Sequence, residues 1–314
     1  MCLTAKKKGK IRIILPAVLI VLVVIAAVLI PPFLRMQNDT LVTERFVIEN
    51  EKIPAAFDGF TLALVTDLHS KEFGPSNEQL ILAIQQANPD AVLVGGDTLK
   101  GNDKTDSGQV FLSLCKNLTK EFSVYVVYGN HEQRRYDLSN IDSTYQREIE
   151  ATGARVIAGQ KVPITKAGET INLYGLNLPY VFYMNTREQN FLRSFFPSDE
   201  RYFKVDIQKV LGEPESGRFN ILLTHNPIKF AAYADWGADL VLSGHEHGGI
   251  IRLPFYGGLL TRYASTGDMV RYDAGLFTKG SSQMIVSRGL GGAAVPYRIF
   301  NKPELVAVTL KTKQ

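Results

Sequence analysis

The chain has 314 residues, 45% hydrophobic and 21% charged, with a formal net charge of +4 and only two cysteines. This composition excludes a disordered, collagenous or disulfide-stapled protein, and the length allows one α/β domain or two small ones. Lys6, Lys7, Lys8, Lys10 and Arg12 account for five positive charges, and the remainder stands at −1, which excludes the basic surface of a nucleic-acid-binding protein.

Arg12 and Arg35 bracket 22 uncharged residues, and about 20 apolar residues suffice to cross a bilayer as a helix. A transmembrane anchor is therefore expected over residues 11–34, after a basic tail of residues 1–10. A cleaved signal peptide is the competing reading. Its apolar core would be only about 7–15 residues followed by an Ala-x-Ala-like site, whereas this run is longer and leaves through Pro31-Pro32 without such a site. The basic flank should stay cytoplasmic, so the expected product is a single-pass membrane protein with everything after Arg35 outside the cytoplasm. Cys2 and Cys115 fall on opposite sides of the span, and no disulfide is expected. Cys2 beside Met1 has no further context for acylation.

Residues 35–42 are polar and read as a linker to a domain over residues 43–314. Apolar runs at 61–66, 91–94, 123–128, 220–223 and 239–243 read as strands, and helical periodicity appears at 77–87 behind Ser76 as cap, at 108–120, and at 139–151 ending at Gly153. Strands and helices alternate through the first half, which looks βαβ-like. The second half has more hairpin character, at 171–176 and in closing strands at 283–287 and 305–310. Between them, residues 178–203 crowd Tyr180, Phe182, Tyr183, Phe191, Phe195, Phe196, Tyr202 and Phe203 into a polar stretch. Either this segment overhangs a site, or Phe191, Leu192, Phe195 and Phe196 form the buried face of a helix.

Each of the five strands runs into a motif rich in Asp, Asn, Gly and His. In chain order they are Asp67-Leu68-His69, Gly95-Gly96-Asp97, Gly129-Asn130-His131-Glu132, Thr224-His225-Asn226-Pro227 and Gly244-His245-Glu246-His247, and they contain all five histidines of the chain. Strand ends converging on N and O donors describe a metal site, and Asp, Asn and His without cysteine describe a catalytic one. Two divalent ions about 3.5–4 Å apart can clamp a phosphate and activate a water between them. Such a pair needs a shared carboxylate. Asp97 suits that role, because Gly95-Gly96 lets the backbone turn sharply at the strand end. Asp67 and His69 are two residues apart, as are His245 and His247, so on extended backbone each pair would face one side.

These motifs resemble the calcineurin-like metallophosphoesterase superfamily in order, spacing and strand context, over residues 43 to 310. The resemblance implies a four-layer αββα sandwich of two mixed sheets and a metal-activated hydroxide attacking phosphorus. It implies one divalent ion held by Asp67, His69, Asp97 and His247 and a second by Asp97, Asn130, His225 and His245, with Mn, Fe, Zn or Co all suited to such donors. His131 would face the substrate with Asn130, stabilise the transferring phosphoryl group and assist the leaving oxygen. The N-terminal helix, His247-Gly248-Gly249, Arg252-Leu253-Pro254, Ser287-Arg288-Gly289-Leu290-Gly291 and Pro303-Glu304-Leu305 are similar to the membrane-anchored or exported bacterial branch, which includes enzymes like UDP-2,3-diacylglucosamine pyrophosphatases. The expected substrate is a phosphodiester, pyrophosphate or phosphomonoester, with a lipid- or glycan-linked one in view for a membrane-anchored enzyme.

Two positions depart from the superfamily pattern. Lys100 stands where many relatives carry the acid that orients the catalytic histidine, which leaves Asp103 or Asp106 to supply that carboxylate from the following loop, or Lys100 itself to face the phosphate. Ile250 replaces a polar residue after His-Gly-Gly. Arg134, Arg135 and Arg252 are candidate phosphate ligands, of which Arg252 follows the double-histidine motif most closely. Asn226 before Pro227 either bonds a substrate oxygen or shapes a turn. A metal-dependent binding or scaffold protein of the cell envelope, without turnover, is the alternative from another class, although no ligand position is missing.

Overall fold

The computed structural model describes residues 5–101, 105–135, 143–184, 206–259, 272–292 and 297–313, with the side chains of 5–17, 135 and 143 excepted. It begins with helix α1, Ala5–Asp39, whose stretch Val18–Asp39 is long and apolar enough to cross a membrane. The helix does not stop at residue 34. Residues 35–39, read from their polarity as linker, continue it, because its last turn is fastened to the folded domain. The Lys71 ammonium donates to the Asn38 carbonyl, the Asn38 side chain accepts the Arg298 N–H at 2.9 Å, and the Phe33 and Phe300 rings lie 5.7 Å apart.

Strand β1, Val42–Asn50, opens the domain and pairs in parallel with the closing strand β14, Glu304–Thr312. β14 runs antiparallel to β2, Thr61–Val65, beyond which β3, Ala91–Val94, β4, Ser123–Val126, and β5, Arg155–Val156, continue in parallel, giving the order β1-β14-β2-β3-β4-β5. The second sheet uses β6, Gln160–Lys166, β7, Glu169–Leu176, β8, Asn220–Thr224, β9, Leu240–Ser243, β12, Gly275–Lys279, and β13, Ser282–Val286, in the order β12-β13-β9-β8-β7-β6. Its middle strands are parallel and both edges antiparallel, so both sheets are mixed. A separate hairpin joins β10, Ile251–Leu253, to β11, Gly257–Leu259.

Strand alternation builds the layers. In β2, Leu62 and Leu64 face the second sheet and pack with Ile221, Leu223 and Leu242, while Ala63 and Val65 face a helix layer with Leu80, Ile84 and Phe111. Helices α2, Glu78–Ala87, α3, Gln109–Leu118, and α5, Ser143–Ala151, make that outer layer; α4, Asn130–Arg135, follows β4 directly. On the far side, α6, Ile207–Leu211, and α7, Phe230–Trp236, cover the second sheet through Ile207, Phe230 and Tyr233. The result is the expected αββα sandwich, its two central strand groups buried on both faces, as continuous apolar runs require. The expected cap at Ser76 is absent: Ser76 and Asn77 both take left-handed backbone, Ser76 lies inside a single 3-10 turn, and Asn77 stands immediately before the helix. The Asn77 carboxamide accepts the Phe73 N–H at 3.0 Å, so it tightens the preceding loop. Cys115 is a buried free thiol. Residues 185–203, with Phe191, Leu192, Phe195, Phe196, Tyr202 and Phe203, lie outside the described residues, as does Asp103.

Candidate metal centre

β2, β3, β8 and β9 each end at the same edge of the sandwich, and the residues that follow turn inward. The turning is not extended. Asp67, His69, Asp97, His245 and His247 have φ of 52°, 49°, 52°, 75° and 54°, a left-handed conformation that costs a residue with a side chain about 1–3 kcal/mol and persists only where its surroundings enforce it. The two-residue spacing therefore brings Asp67 to His69, and His245 to His247, through coiled backbone and not through strand alternation. The enforcement is a set of main-chain bonds between motifs: Asp67 N–H to Gly96 O at 2.9 Å, His69 N–H to Asp97 O at 3.0 Å, and Gly291 N–H to Asp67 O at 2.6 Å. Gly96, with φ 91°, lies against the Asp97 and Asn130 motifs so closely that a Cβ there would fall 2.3 Å from Gly129 N.

The donors form overlapping groups. Asp67, His69 and His247 offer ligand atoms within 4.8 Å of one another, Asp97, His225 and His245 do the same, and His69, Asp97 and His131 form a third group that links the two. His69 Nε2 and His247 Nε2 are 3.2 Å apart, and His247 Nε2 is 3.4 Å from Asp67 Oδ1. On the other side His225 Nε2 lies 3.2 Å from both His245 Nδ1 and Asp97 Oδ2. Asp97 Oδ2 sits between the groups, 4.0 Å from His69 Nε2 and 3.8 Å from His131 Nε2. Second partners leave the ligating nitrogens free: His69 Nδ1 meets Leu99 O at 3.1 Å and His225 Nδ1 meets Gly95 O at 2.7 Å. Asn130 Oδ1 is buried without a hydrogen-bond partner. A buried acceptor in that condition is costly unless a water or a cation completes it, and an orphaned oxygen on the residue preceding His131, whose N–H bonds Asp97, fits a divalent ion. The set expected from the sequence, Asp67, His69, Asp97, Asn130, His225, His245 and His247, is thus assembled at one sheet edge, every member buried.

Protonation follows the charges. Burial lowers His69 to about 4 and holds His247 well below its ordinary value, keeping both neutral as metal ligation requires. Burial also opposes the charged form of His225, but Asp97 and Asp67 outweigh it and raise His225 to about 9. Asp67 is raised to about 6 by burial, against the pull of His225. For Asp97, burial is overcome by His225 and His131, and its carboxyl lies well below the usual range. A cluster that takes up a proton between two carboxylates is one prepared for positive charge.

His131 stands apart. It is partly exposed, its own N–H donates to Asp97 Oδ1 at 2.8 Å, and its ring is held by main chain: Nδ1 lies 3.1 Å from Leu99 O, to which it donates when protonated, and 2.7 Å from Gly101 N, whose N–H it accepts when it is not. These two contacts come from the loop that carries Lys100 in place of an acid. Asp106 braces that loop, accepting from Lys100 N–H at 2.7 Å, the Ser70 hydroxyl at 2.6 Å and Gly108 N–H at 2.9 Å. The Lys100 side chain lines a cavity of about 730 Å³ that contains His69. Arg252, expected to meet phosphate, pairs with Asp273 at 3.0 Å and lines a different cavity, at the β10–β11 hairpin. Asn226 shapes a turn, its side chain accepting the Ile228 N–H at 2.9 Å. In the aromatic segment Val181, Phe182 and Tyr183 are buried, and the Tyr183 ring lies 5.0 Å from that of His245.

Three residues escaped sequence reasoning. Glu132 is buried and accepts the N–H groups of Asp97, Thr98, Leu99 and Gly129 at 2.8–3.0 Å, locking two ligand loops together. Arg298 is buried and donates to the carbonyls of Gly291, Arg288 and Gly289, 3.4 Å from His247 Nδ1; Asn301 donates to His247 O at 2.7 Å. Glu132 had a signal in its place beside His131. Arg298 and Asn301 had none, since they approach from a loop distant in sequence.

The profile of the calcineurin-like phosphoesterase family matches residues 60–249, a span that contains the whole donor set. YkuE of Bacillus subtilis (strain 168), an uncharacterized metallophosphoesterase, is 28% identical over 86% of this chain and 85% of its own. An uncharacterized metallophosphoesterase of Helicobacter pylori (strain J99) is 30% identical over 80% of this chain and 60% of a longer protein. The phosphodiesterase YaeI of Escherichia coli (strain K12) is 24% identical over 80% of this chain and 82% of its own. Among solved structures, the phosphopantetheinyl hydrolase PptH of Mycobacterium tuberculosis is 13% identical over 74% of this chain and 91% of its own, with a TM-score of 0.40, too distant to inform the chemistry.

Proposed function

The chain belongs to the calcineurin-like phosphoesterase family and is a metallophosphoesterase, a hydrolase of phosphoester bonds; from that premise we propose that it works with two divalent ions sharing Asp97, at a membrane surface. The observation that carries the two-ion reading is the position of Asp97 Oδ2 between the Asp67–His69–His247 group and the His225–His245 group. When bound, such ions supply Lewis acidity to phosphoryl oxygens and a water acidic enough to act as nucleophile near neutral pH.

The chain's own residues do the rest. Asp67, His69 and His247 hold one side and Asn130, His225 and His245 the other, while Glu132 and Arg298 keep the ligand loops in their strained turns. His131 faces the reacting group; as imidazolium its Nδ1–H donates to Leu99 O while Nε2 gives its proton to the departing oxygen, leaving a neutral ring. α1 anchors the domain outside the cytoplasm, its basic tail remaining inside. A diester or pyrophosphate in the cell envelope is the favoured substrate class, supported by the relative that is itself a phosphodiesterase.

The test is a panel of aryl phosphomonoesters and diesters, lipid-linked pyrophosphates and nucleotide sugars, incubated with the full chain and defined Mn, Fe, Zn or Co. Hydrolysis that a chelator abolishes and one of these ions restores is the expected result. No turnover on any member, with ions bound, would replace this reading with a binding or scaffold role.

A further inference from the structure

Exposed apolar surface on the folded domain is concentrated at one place. Outside α1, nine large apolar side chains among the described residues are exposed, and five of them, Leu253, Phe255, Tyr256, Tyr297 and Phe300, belong to the β10–β11 hairpin and the 297–300 turn. All four aromatic members of the nine are in this group, with Phe255 fully exposed and Phe300 60% exposed. The two segments are joined: Arg252 N–H donates to Ile299 O and Ile299 N–H to Ile250 O, both at 3.0 Å. Phe255 and Phe300 also hold left-handed backbone, φ 65° and 54°. For bulky side chains this is a genuine outlier, so local strain is maintained to hold two phenyl rings in water, where burial would ordinarily place them.

The patch adjoins the end of α1. Phe33, in the last apolar turn before Arg35, packs on Phe300 at 5.7 Å. On the other side of the same turn, Pro31, Leu34 and Arg35 line the cavity of about 730 Å³ that contains His69, with Tyr297 at its rim. If α1 spans a bilayer, the headgroup layer lies at the level of residues 33–35, where the apolar run gives way to Arg35, Gln37 and Asn38. Phe300 and the hairpin tip are then at that level too. Aromatic side chains favour this layer, and Lys302, which lines a cavity with Phe300, suits anionic headgroups.

We propose that the β10–β11 hairpin tip and the Tyr297–Phe300 turn form a membrane-docking surface, which enters the headgroup layer of the bilayer that α1 crosses and holds the mouth of the cavity that reaches His69 against the lipid. The proposal rests on the reading of α1 as a spanning helix. Docking turns a tether into a fixed orientation: the metal centre faces headgroup phosphates, and a soluble phosphate ester must reach it from the rim.

The chain has one tryptophan, Trp236, in the helix layer beyond the second sheet, where its indole N–H bonds Gly212 O at 2.9 Å. The full chain carrying Phe255→Trp and Trp236→Phe is reconstituted in phosphatidylcholine–phosphatidylglycerol vesicles, with and without bromine on the acyl chains. Docking requires that brominated lipid lower the emission of the introduced indole by at least about twofold, as expected for a ring in the interfacial layer, while the unaltered protein, reporting from Trp236, stays unchanged. Tyr256→Trp in the same background repeats the measurement should the first variant fail to fold. Emission that ignores bromine, or that shifts only with protein concentration because a second copy covers the patch, overturns the proposal. Carbonate-resistant membrane association and metal-dependent aryl diester hydrolysis are read on the same vesicles, so failure of the anchor or of the phosphoesterase reading is seen separately from failure of docking.

Discussion

A nitrogen from each candidate ligand group and His131 Nε2 all lie within 4.0 Å of Asp97 Oδ2, yet the groups and His131 are held in opposite ways. The ligand loops are buried, strained and tied to one another by main-chain bonds and by Glu132, whereas His131 is partly exposed and depends on two main-chain atoms, Leu99 O and Gly101 N. The first arrangement resists change and fails as a unit. The second can be lost without disturbing the first. On the proposed function, metal binding and proton transfer are thus separable, even though both meet at one carboxylate.

The largest expected effect comes from the shared atom. Asp97→Asn keeps the shape but removes the charge between the two groups, so both ions should weaken together and hydrolysis should fall to background; elemental analysis and rate measured on one sample check this. Normal metal content with a near-normal rate would break the contrast at its root. His131→Ala should leave metal content intact while kcat falls by roughly 10²–10⁴, the scale of an acid–base residue. The loss should shrink for substrates with acidic leaving groups such as nitrophenolate, and an equal loss for good and poor leaving groups would leave His131 only an electrostatic role.

Smaller effects sharpen the comparison. A Cβ on Gly101 would fall 2.4 Å from His131 Cγ, so Gly101→Ala should displace the ring and lower kcat by about ten- to a hundredfold, the cost of a misplacement near 1 Å, without loss of metal. A matching fall in metal content would show that the two regions are not independent. The smallest effect is thermal. The pKa of His225, about 9 in the ion-free fold, exceeds the ordinary 6.5. Its proton therefore stabilises the fold fully below about pH 6.5, and that contribution is lost as pH rises through about 9. The Tm of ion-free protein should drop by several degrees across this window, and that of ion-loaded protein should not, because the ion replaces the proton. Parallel pH curves for the two forms would argue against His225 as a ligand.

Much of this was legible in the chain because catalytic metal sites need particular atoms at strand ends. The strands at 91–94 and 220–223 and the motifs after them carry their own signals, apolar runs followed by Gly, Asp, Asn and His. The structure assembles Asp67, His69, Asp97, Asn130, His225, His245 and His247 as those motifs suggested. The route was less legible: spacing implied extended backbone, but Asp67 and His69 turn through left-handed φ, a conformation that only bonds to Gly96, Asp97 and Gly291 sustain. The pairing of Arg252 was illegible for the same reason, since its partner Asp273 comes from 21 residues away and nothing local announces the pair.

By itself the sequence determined the main strands and helices of an α/β domain, the donor chemistry and an apolar helix able to cross a membrane, since periodicity, residue type and run length are local properties that survive reading in one dimension; the sandwich itself followed only from the resemblance of its motifs to a known family. Tertiary structure alone decided what surrounds them. It placed Arg298 behind His247, replaced the missing acid at Lys100 with the backbone of Leu99 and Gly101, and carried α1 through Asp39 onto the domain, so that Phe33 meets Phe300 beside the cavity that holds His69. Each of these joins residues far apart in the chain, through backbone atoms or apolar faces that every residue or many residues possess, and such partners become specific only when the fold brings them within reach.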